Sequence, residues 1–455
     1  MKPPTPRGLR AGAFALLAAL LGGCGGGGEV VSPLPPVPGV ACSTLDERLW
    51  LAEYFDAWYF WHRLAPDPDP WRDRSLAAFF DASLYAGGDP RFPRDRWSFM
   101  EPSADFDRFF GEGRQLGYGL FLAGIETAGD PRRPLRVRWV EPRSDAAAQD
   151  VRRGDEVLRV DGRPASEIVA SDDYGAFTPE REGSTLALVL RRDGVERSLL
   201  VRARAYALEP VTRVRTIDTP AGRRMGYLHV KDMIEPAEPA LDDAFAHLRA
   251  AGVTELAIDL RYNGGGLVTT ARRLASYVAA ERTREQMFAR LLYNDRRAHE
   301  ENQTLRFERR DRALALSRVY VLTGPRTCSA SELVINGLRP FVEVVTVGDT
   351  SCGKPVGFRP VSRCDTTFSV VNFEAVNARD EGRYFDGIGA RCAVDEDFAR
   401  ELGSAQEPLL ATALAHADGV ACTSPAARAR RTPLQALPGH GRGSEPRERQ
   451  GAWWP

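Results

Sequence analysis

The spacing of apolar residues changes character twice along this chain, at about 113 and at about 208. Between Thr44 and about His62 the apolar positions are dense and mostly aromatic, with Trp50, Tyr54, Phe55, Trp58, Tyr59, Phe60 and Trp61 crowded together. Thr44 and Glu47 have capping-box spacing, so a helix is predicted from there, and a second over Ser75 to Ala86. Five of the eight tryptophans lie between Trp50 and Trp97. Residues 44–112 therefore read as a small helical domain held by aromatic packing, rather than as a ligand-binding aromatic box. From 113 to 207 the period falls to two: Leu135 to Val140 alternates, Arg153 to Gly162 reads as turn, strand and turn, and Leu186–Leu190 and Ser198–Val201 add strands. From 208 to 422 strand and helix alternate. Strands are predicted at Arg224–Val230, Leu256–Leu260, Val319–Leu322 and Val342–Val347. Helices are predicted at Pro239–Ala251, around Leu267 to Val278, and at Ser329–Leu338, the last ended by Pro340. Buried strands alternating with helices define a layered α/β core.

The two ends read differently. Lys2, Arg7 and Arg10 precede an apolar run, Ala11 to Leu21, that is too short to span a bilayer. Leu21-Gly22-Gly23-Cys24 resembles the lipobox of bacterial lipoproteins, which implies that residues 1–24 are an export signal and that Cys24 is lipidated. Gly25 after that cysteine favours the outer membrane under the usual sorting rule. Residues 25–43 are a Gly- then Pro-rich tether, and 423–455, rich in Arg, Pro and Gly, read as a disordered tail. No later stretch reaches about 18 apolar residues. With 43% hydrophobic residues, 27% charged and a net charge of −1, the chain is globular and offers no argument for nucleic acid. None of the cysteines has zinc-ligand spacing, so no metal or other cofactor is expected.

The chemistry starts from a scarcity. The 61 basic residues include only three lysines, Lys2, Lys231 and Lys354. Lys354 lies in Ser351-Cys352-Gly353-Lys354-Pro355, 25 residues after Ser329 in Cys328-Ser329-Ala330-Ser331-Glu332. Arginine stays protonated, whereas a desolvated lysine can lose its proton near neutral pH and act as a general base. A serine hydroxyl needs such a base to become a nucleophile. Ser329 would stand where a strand turns into a helix, close to the helix N-terminus. The N–H of Ala330 there is a candidate oxyanion donor. Six cysteines remain after Cys24. Cys328 and Cys352 flank the two candidate residues, so a Cys328–Cys352 bridge would pin them together. Cys364–Cys392 and Cys42–Cys422 are then the remaining pairs.

Asp259-Leu260-Arg261-Tyr262-Asn263-Gly264-Gly265-Gly266 resembles the DLR-x-N-x-GG motif of the carboxy-terminal processing (tail-specific) serine peptidases. The Ser329 and Lys354 segments match that family's Ser/Lys spacing, and Asp95-Arg96-Trp97-Ser98 is similar to its D-x-x-S motif. Gly117-Tyr118-Gly119-Leu120, followed by Arg153 to Gly162, resembles a PDZ domain, whose loop binds a peptide's terminal carboxylate. The resemblance spans roughly residues 44–395. It implies a crotonase/ClpP-like core with an inserted-type PDZ domain, Ser329 as nucleophile, Lys354 as base, and a second oxyanion donor from the glycine run, with Gly265 the choice. It also implies protein C-termini as substrate, in a lipid-anchored enzyme facing the periplasm.

Two positions depart from the family. Phe358 stands where many members carry a glutamine, four residues after the lysine, and Trp97 occupies the neighbourhood of the D-x-x-S motif in which tricorn-type relatives use a histidine. Glu332 and Arg261 read as structural, and His229 as a satisfied, half-buried histidine. Ser331 is the rival nucleophile, but its offset to Lys354 breaks the spacing. Two other classes stay open: an inactive PDZ-containing peptide-binding lipoprotein, and a non-peptide surface hydrolase on the same core.

Overall fold

A computed structural model describes residues 42–422, apart from Asp73 and Ala128, together with the backbone of Gly451–Trp453. The export signal, Cys24, most of the tether and nearly all of the tail lie outside the described residues. The central sheet has six strands in the spatial order Val211–Asp218, Arg224–Val230, Glu255–Asp259, Arg318–Thr323, Glu343–Gly348 and Cys392–Ala393. The first pair is an antiparallel hairpin and every later pairing is parallel. Alternate residues of these strands point to opposite faces. On one face Leu228, Val230, Ile258 and Val321 pack with the helices Ala237–Ala250, Val268–Ser276 and Ala330–Leu338. On the other, Tyr227, Ala257, Leu322 and Val345 pack with the helix Pro408–Ala417. Covering on both faces explains the unbroken apolar runs in the sequence. The predicted core elements stand within a few residues of these bounds.

The N-terminal segment forms the helices Thr44–Trp58 and Leu76–Ser83. Its cap is Ser43 rather than Thr44, because the Ser43 hydroxyl accepts the Asp46 N–H at 3.2 Å and Asp46 answers through Oδ2. The first helix ends four residues before His62. Tyr59 turns extended, its hydroxyl reaches Asp95 at 2.7 Å, and the Phe60 N–H pairs with Val371 O at 2.8 Å. The second helix stops at Ser83, where Leu84 turns extended. The aromatic core is not private to this segment. Tyr59, Trp61, Phe80 and Trp97 share one buried cluster with Phe358, Phe368 and Phe385 from the C-terminal half of the chain.

The middle segment has its own apolar core. Its main sheet orders the strands Arg163–Pro164, Glu156–Val160, Thr185–Arg192 and Val195–Arg202, and two smaller pairs join Arg114–Gly117 to Arg204–Ala207 and Leu120–Leu122 to Val137–Val140. Buried charges tie it to the α/β core. Arg153 reaches Glu396 at 2.8 Å, and Arg326, three residues before Ser329, reaches Glu126 at 3.1 Å.

Three disulfides are formed. Cys328 is bonded to Cys352 as expected, but the other pairing is corrected: Cys42 joins Cys364 and Cys392 joins Cys422. Sequence position could not separate these choices, because the partners are set by strand order. Cys392 lies on the sheet-edge strand beside Val347, in the buried cluster that the helix Pro408–Ala417 completes. Cys364 sits in the turn between the strands Val361–Arg363 and Thr366–Ser369, and the second of these pairs with Phe99–Pro102.

Candidate active site

Ser329 stands in the turn between the strand Arg318–Thr323 and the helix Ala330–Leu338. Its backbone has φ 58° and ψ −113°, outside the left-handed helical well and in a region that a residue with a Cβ seldom adopts. Such a conformation costs of order 1–3 kcal/mol and persists only when its surroundings enforce it. The side chain is 1% exposed, and among the described residues its Oγ has no hydrogen-bond partner. Ala330 opens the helix, so its N–H belongs to the first turn, whose donors lack partners within the helix. The rival hydroxyl is engaged: Ser331 Oγ donates to the Asn263 carbonyl at 3.1 Å. Cys328 is held in its disulfide.

Lys354 is 1% exposed. Burial pushes its amine down from 10.5 to about 7, against the opposing pull of the Asp95 and Glu332 carboxylates. Its Nζ lies 4.2 Å from the centre of the Phe358 ring. The aromatic side chain that replaces the expected glutamine thus forms a face under the amine. It also carries the contact from the N-terminal aromatic cluster to the amine. Asp95 is fixed by Tyr59 Oη at 2.7 Å, the Trp97 N–H at 2.8 Å and Ser98 Oγ at 2.6 Å. Ser98 Oγ in turn accepts the Val371 N–H at 3.0 Å. This gives the D-x-x-S segment a structural meaning, since it is the turn that brings a carboxylate toward Lys354.

The two loops meet at Glu332. Its Oε2 accepts the backbone N–H of Ser329 and of Lys354, each at 2.8 Å. Its Oε1 accepts the Gly353 N–H at 2.8 Å and Ser351 Oγ at 2.5 Å. Gly353 has φ +82°, which lets both successive N–H groups turn toward one carboxylate. Burial raises the Glu332 pKa, and these four donors oppose the rise. The Cys328–Cys352 bridge adds a covalent link one residue before Ser329 and two before Lys354.

The glycine run is set by Asn263, to which sequence reasoning assigned no role. Asn263 Nδ2 donates to Val230 O at 2.9 Å, Oδ1 accepts the Gly265 N–H at 2.8 Å, and its carbonyl accepts the Cys328 N–H at 3.0 Å. The choice of Gly265 as oxyanion donor is therefore corrected, because its N–H is committed to the asparagine. Gly266, at φ +130°, lies so close to Met233 O that a Cβ would come within 2.1 Å of it. Arg261 is held by Asp259 at 2.9 Å and bidentately by Glu407 at 2.7 and 2.8 Å, fixing the loop as the structural reading expected. His229 is fully buried rather than half-buried. Its Nδ1 meets Thr212 Oγ1 at 2.9 Å, Nε2 has no partner among the described residues, and burial holds its pKa well below the usual value. Gly117, Tyr118, Gly119 and Leu120 lie apart from this cluster, in the middle segment. Their strand approaches it through Leu122 O, which accepts from Arg326 Nη2 at 3.4 Å.

A desolvated lysine, a serine whose hydroxyl has no partner among the described residues and a glycine loop are thus held together on an α/β core. Residues 224–390 match Peptidase family S41. The chain is 26% identical over 240 residues to carboxyl-terminal-processing peptidase 1 (chloroplastic) of Arabidopsis thaliana, covering 52% of this chain and 47% of that one. It is 22% identical over 215 residues to the carboxy-terminal processing protease CtpB of Bacillus subtilis, covering 47% and 42%. The chain spans about half the length of the curated relatives it matches. A crystal structure of a Bacteroides fragilis protein assigned to the S41 proteases is similar over 81% of this chain and 97% of that one, with a TM-score of 0.64 and 25% identity. Residues 224–390 are thus similar to peptidase family S41, and the chain to carboxyl-terminal-processing peptidases.

Proposed function

We propose that this protein is a serine endopeptidase that cleaves peptide bonds near protein C-termini, with Ser329 as nucleophile and Lys354 as general base. The observation that carries this reading is the pairing of two unlike environments. An unpartnered hydroxyl and an amine lowered to about 7 sit on backbones that share one carboxylate oxygen. The neutral amine takes the Ser329 proton as Oγ attacks the substrate carbonyl, and the ammonium then protonates the leaving amine. Water hydrolyses the acyl-enzyme with the same lysine as base. The oxyanion is received by the Ala330 N–H and by an N–H of the glycine run other than Gly265.

An extended peptide suits this geometry. The strand Gly265–Leu267 pairs along its edge, in parallel register, with Gly451–Trp453 of the same chain, so the edge can receive a strand. In this reading the middle segment is a PDZ domain whose loop Gly117-Tyr118-Gly119-Leu120 takes the substrate's terminal carboxylate. Its contact with Arg326 would relay occupancy to the Ser329 turn. Among the described residues no helix is long and apolar enough to cross a membrane. Lipidation at Cys24 would tether the enzyme to the periplasmic side of a bacterial membrane.

The test is cleavage of a denatured protein carrying an apolar C-terminal tail. Ser329→Ala should abolish cleavage and labelling by a fluorophosphonate while leaving tail binding intact. Absence of hydrolysis by the unaltered protein would favour the peptide-binding reading, and turnover of esters without peptides would favour the surface hydrolase.

A further inference from the structure

We propose that Glu332 is a positioning residue of the reaction: its one buried carboxylate holds the nucleophile turn against the base loop and stands as an anion near the Lys354 amine. The proposal rests on the reading of Ser329 and Lys354 given above. Glu332 is 0% exposed and stands in the first turn of Ala330–Leu338, so the side chain points back at the turn it caps. An ordinary capping glutamate satisfies one N–H of its own helix. This one accepts four donors, of which only Ser329 N–H belongs to its own turn. The other three, from Ser351, Gly353 and Lys354, come from the far side of the site.

The sharing has a geometric consequence. Because Ser329 N–H and Lys354 N–H converge on the same oxygen, neither backbone can shift without losing or dragging that contact. The strained φ of Ser329 needs such enforcement, since nothing in its own side chain supplies it. The sharing has an electrostatic consequence too. The charged and titratable groups facing this pair are Asp95 and Arg96 from the N-terminal segment and Tyr384 from the loop after the strand Phe373–Val376. Asp95 and Glu332 are the anions among them. Their negative charge favours the ammonium and holds the amine up against its desolvation. Without Glu332 the lysine would be more fully neutral at pH 7 but a weaker base.

The chain's three lysines make the test direct. Protein labelled with ¹³C at the lysine Cε carbons, in the inactive Ser329→Ala background, reports the Lys354 titration by NMR, with Lys354→Met assigning the signal. Adding Glu332→Gln should lower the Lys354 midpoint by about one unit or more. In the active background the same substitution should cut kcat by about 100-fold or more at little change in KM, through misplacement of the pair. Glu332→Asp, which keeps the charge on a shorter arm, should lower kcat while leaving the midpoint close to that of the parent. An unmoved midpoint in Glu332→Gln, or full kcat in Glu332→Asp, would overturn the proposal. If Glu332→Gln does not fold, Glu332→Asp still decides whether the carboxylate must reach both loops. The titration needs no catalysis, so a failure of the peptidase reading would show separately, as an unaltered protein that hydrolyses nothing.

Discussion

Lys354→Met should make this protein inactive and, at neutral pH, more stable. The lysine is almost wholly buried and its pKa falls from 10.5 to about 7, a depression of roughly 3.5 units. At 1.36 kcal/mol per unit this is roughly 5 kcal/mol of differential interaction. Above pH 10.5 the amine is neutral in folded and unfolded chains alike, and burial of the proton-free form carries no protonation penalty. Between 10.5 and about 7 the unfolded chain binds a proton that the folded chain does not, so the folded state loses stability as pH falls. Below about 7 both forms are protonated and the full penalty remains. Methionine has nearly the same length and no charge, so it removes this term while filling the same space. The gain over the unaltered protein should approach 5 kcal/mol at pH 6–7 and shrink steadily toward pH 10. Urea unfolding with the disulfides intact, repeated across that range for both proteins, measures it. Lys354→Arg should go the other way and destabilise, because arginine cannot shed its proton on burial. A methionine variant no more stable at pH 7, or a difference that does not vary with pH, would refute the claim that the amine is held neutral by desolvation. The activity of the unaltered protein should rise with pH through a midpoint near about 7, the value at which the base becomes available.

Two further outcomes follow from the same site. Replacing Cys328 and Cys352 together by serine opens a link with a sequence separation of 24. It should lower stability by about 3.5 kcal/mol by the chain-entropy relation and reduce turnover, read by thermal unfolding and hydrolysis side by side; unchanged turnover would show that Glu332 holds the loops unaided. Ser331→Ala removes one hydrogen bond to Asn263, so it should cost about 1 kcal/mol and leave most of the activity. Loss of fluorophosphonate labelling in that variant would transfer the nucleophile's role to Ser331.

How much of the site was legible in sequence depended on whether a role follows from residue type or from company. Ser329 and Lys354 could be singled out because a serine ahead of a helix and a scarce lysine are informative by kind. Glu332 could be seen only as structural, and it does cap its helix. Its contacts with Gly353 and Lys354 lie about twenty residues on, and no local pattern marks them. Gly265 was chosen for its permissive backbone. That reasoning is sound for the loop but blind to the Asn263 side chain, which takes its N–H. Phe358 looked like a loss when measured against glutamine. Only the edge-on packing of Phe99 against it, within the cluster that also holds Trp97, Phe368 and Phe385, explains why a ring at that position is held in place and can face the amine.

The order of strands and helices, the α/β character of residues 208–422 and the choice of Ser329 and Lys354 as candidates are readings of the chain along its length. They rest on apolar period and on residue chemistry, and both are local. The cysteine partners, the ending of the first helix at Trp58, the sharing of the aromatic core and the convergence of two loops on one carboxylate were decided by tertiary structure. Each depends on which distant segments become neighbours once six strands settle into one sheet, and adjacency across a sheet leaves no trace in sequence separation.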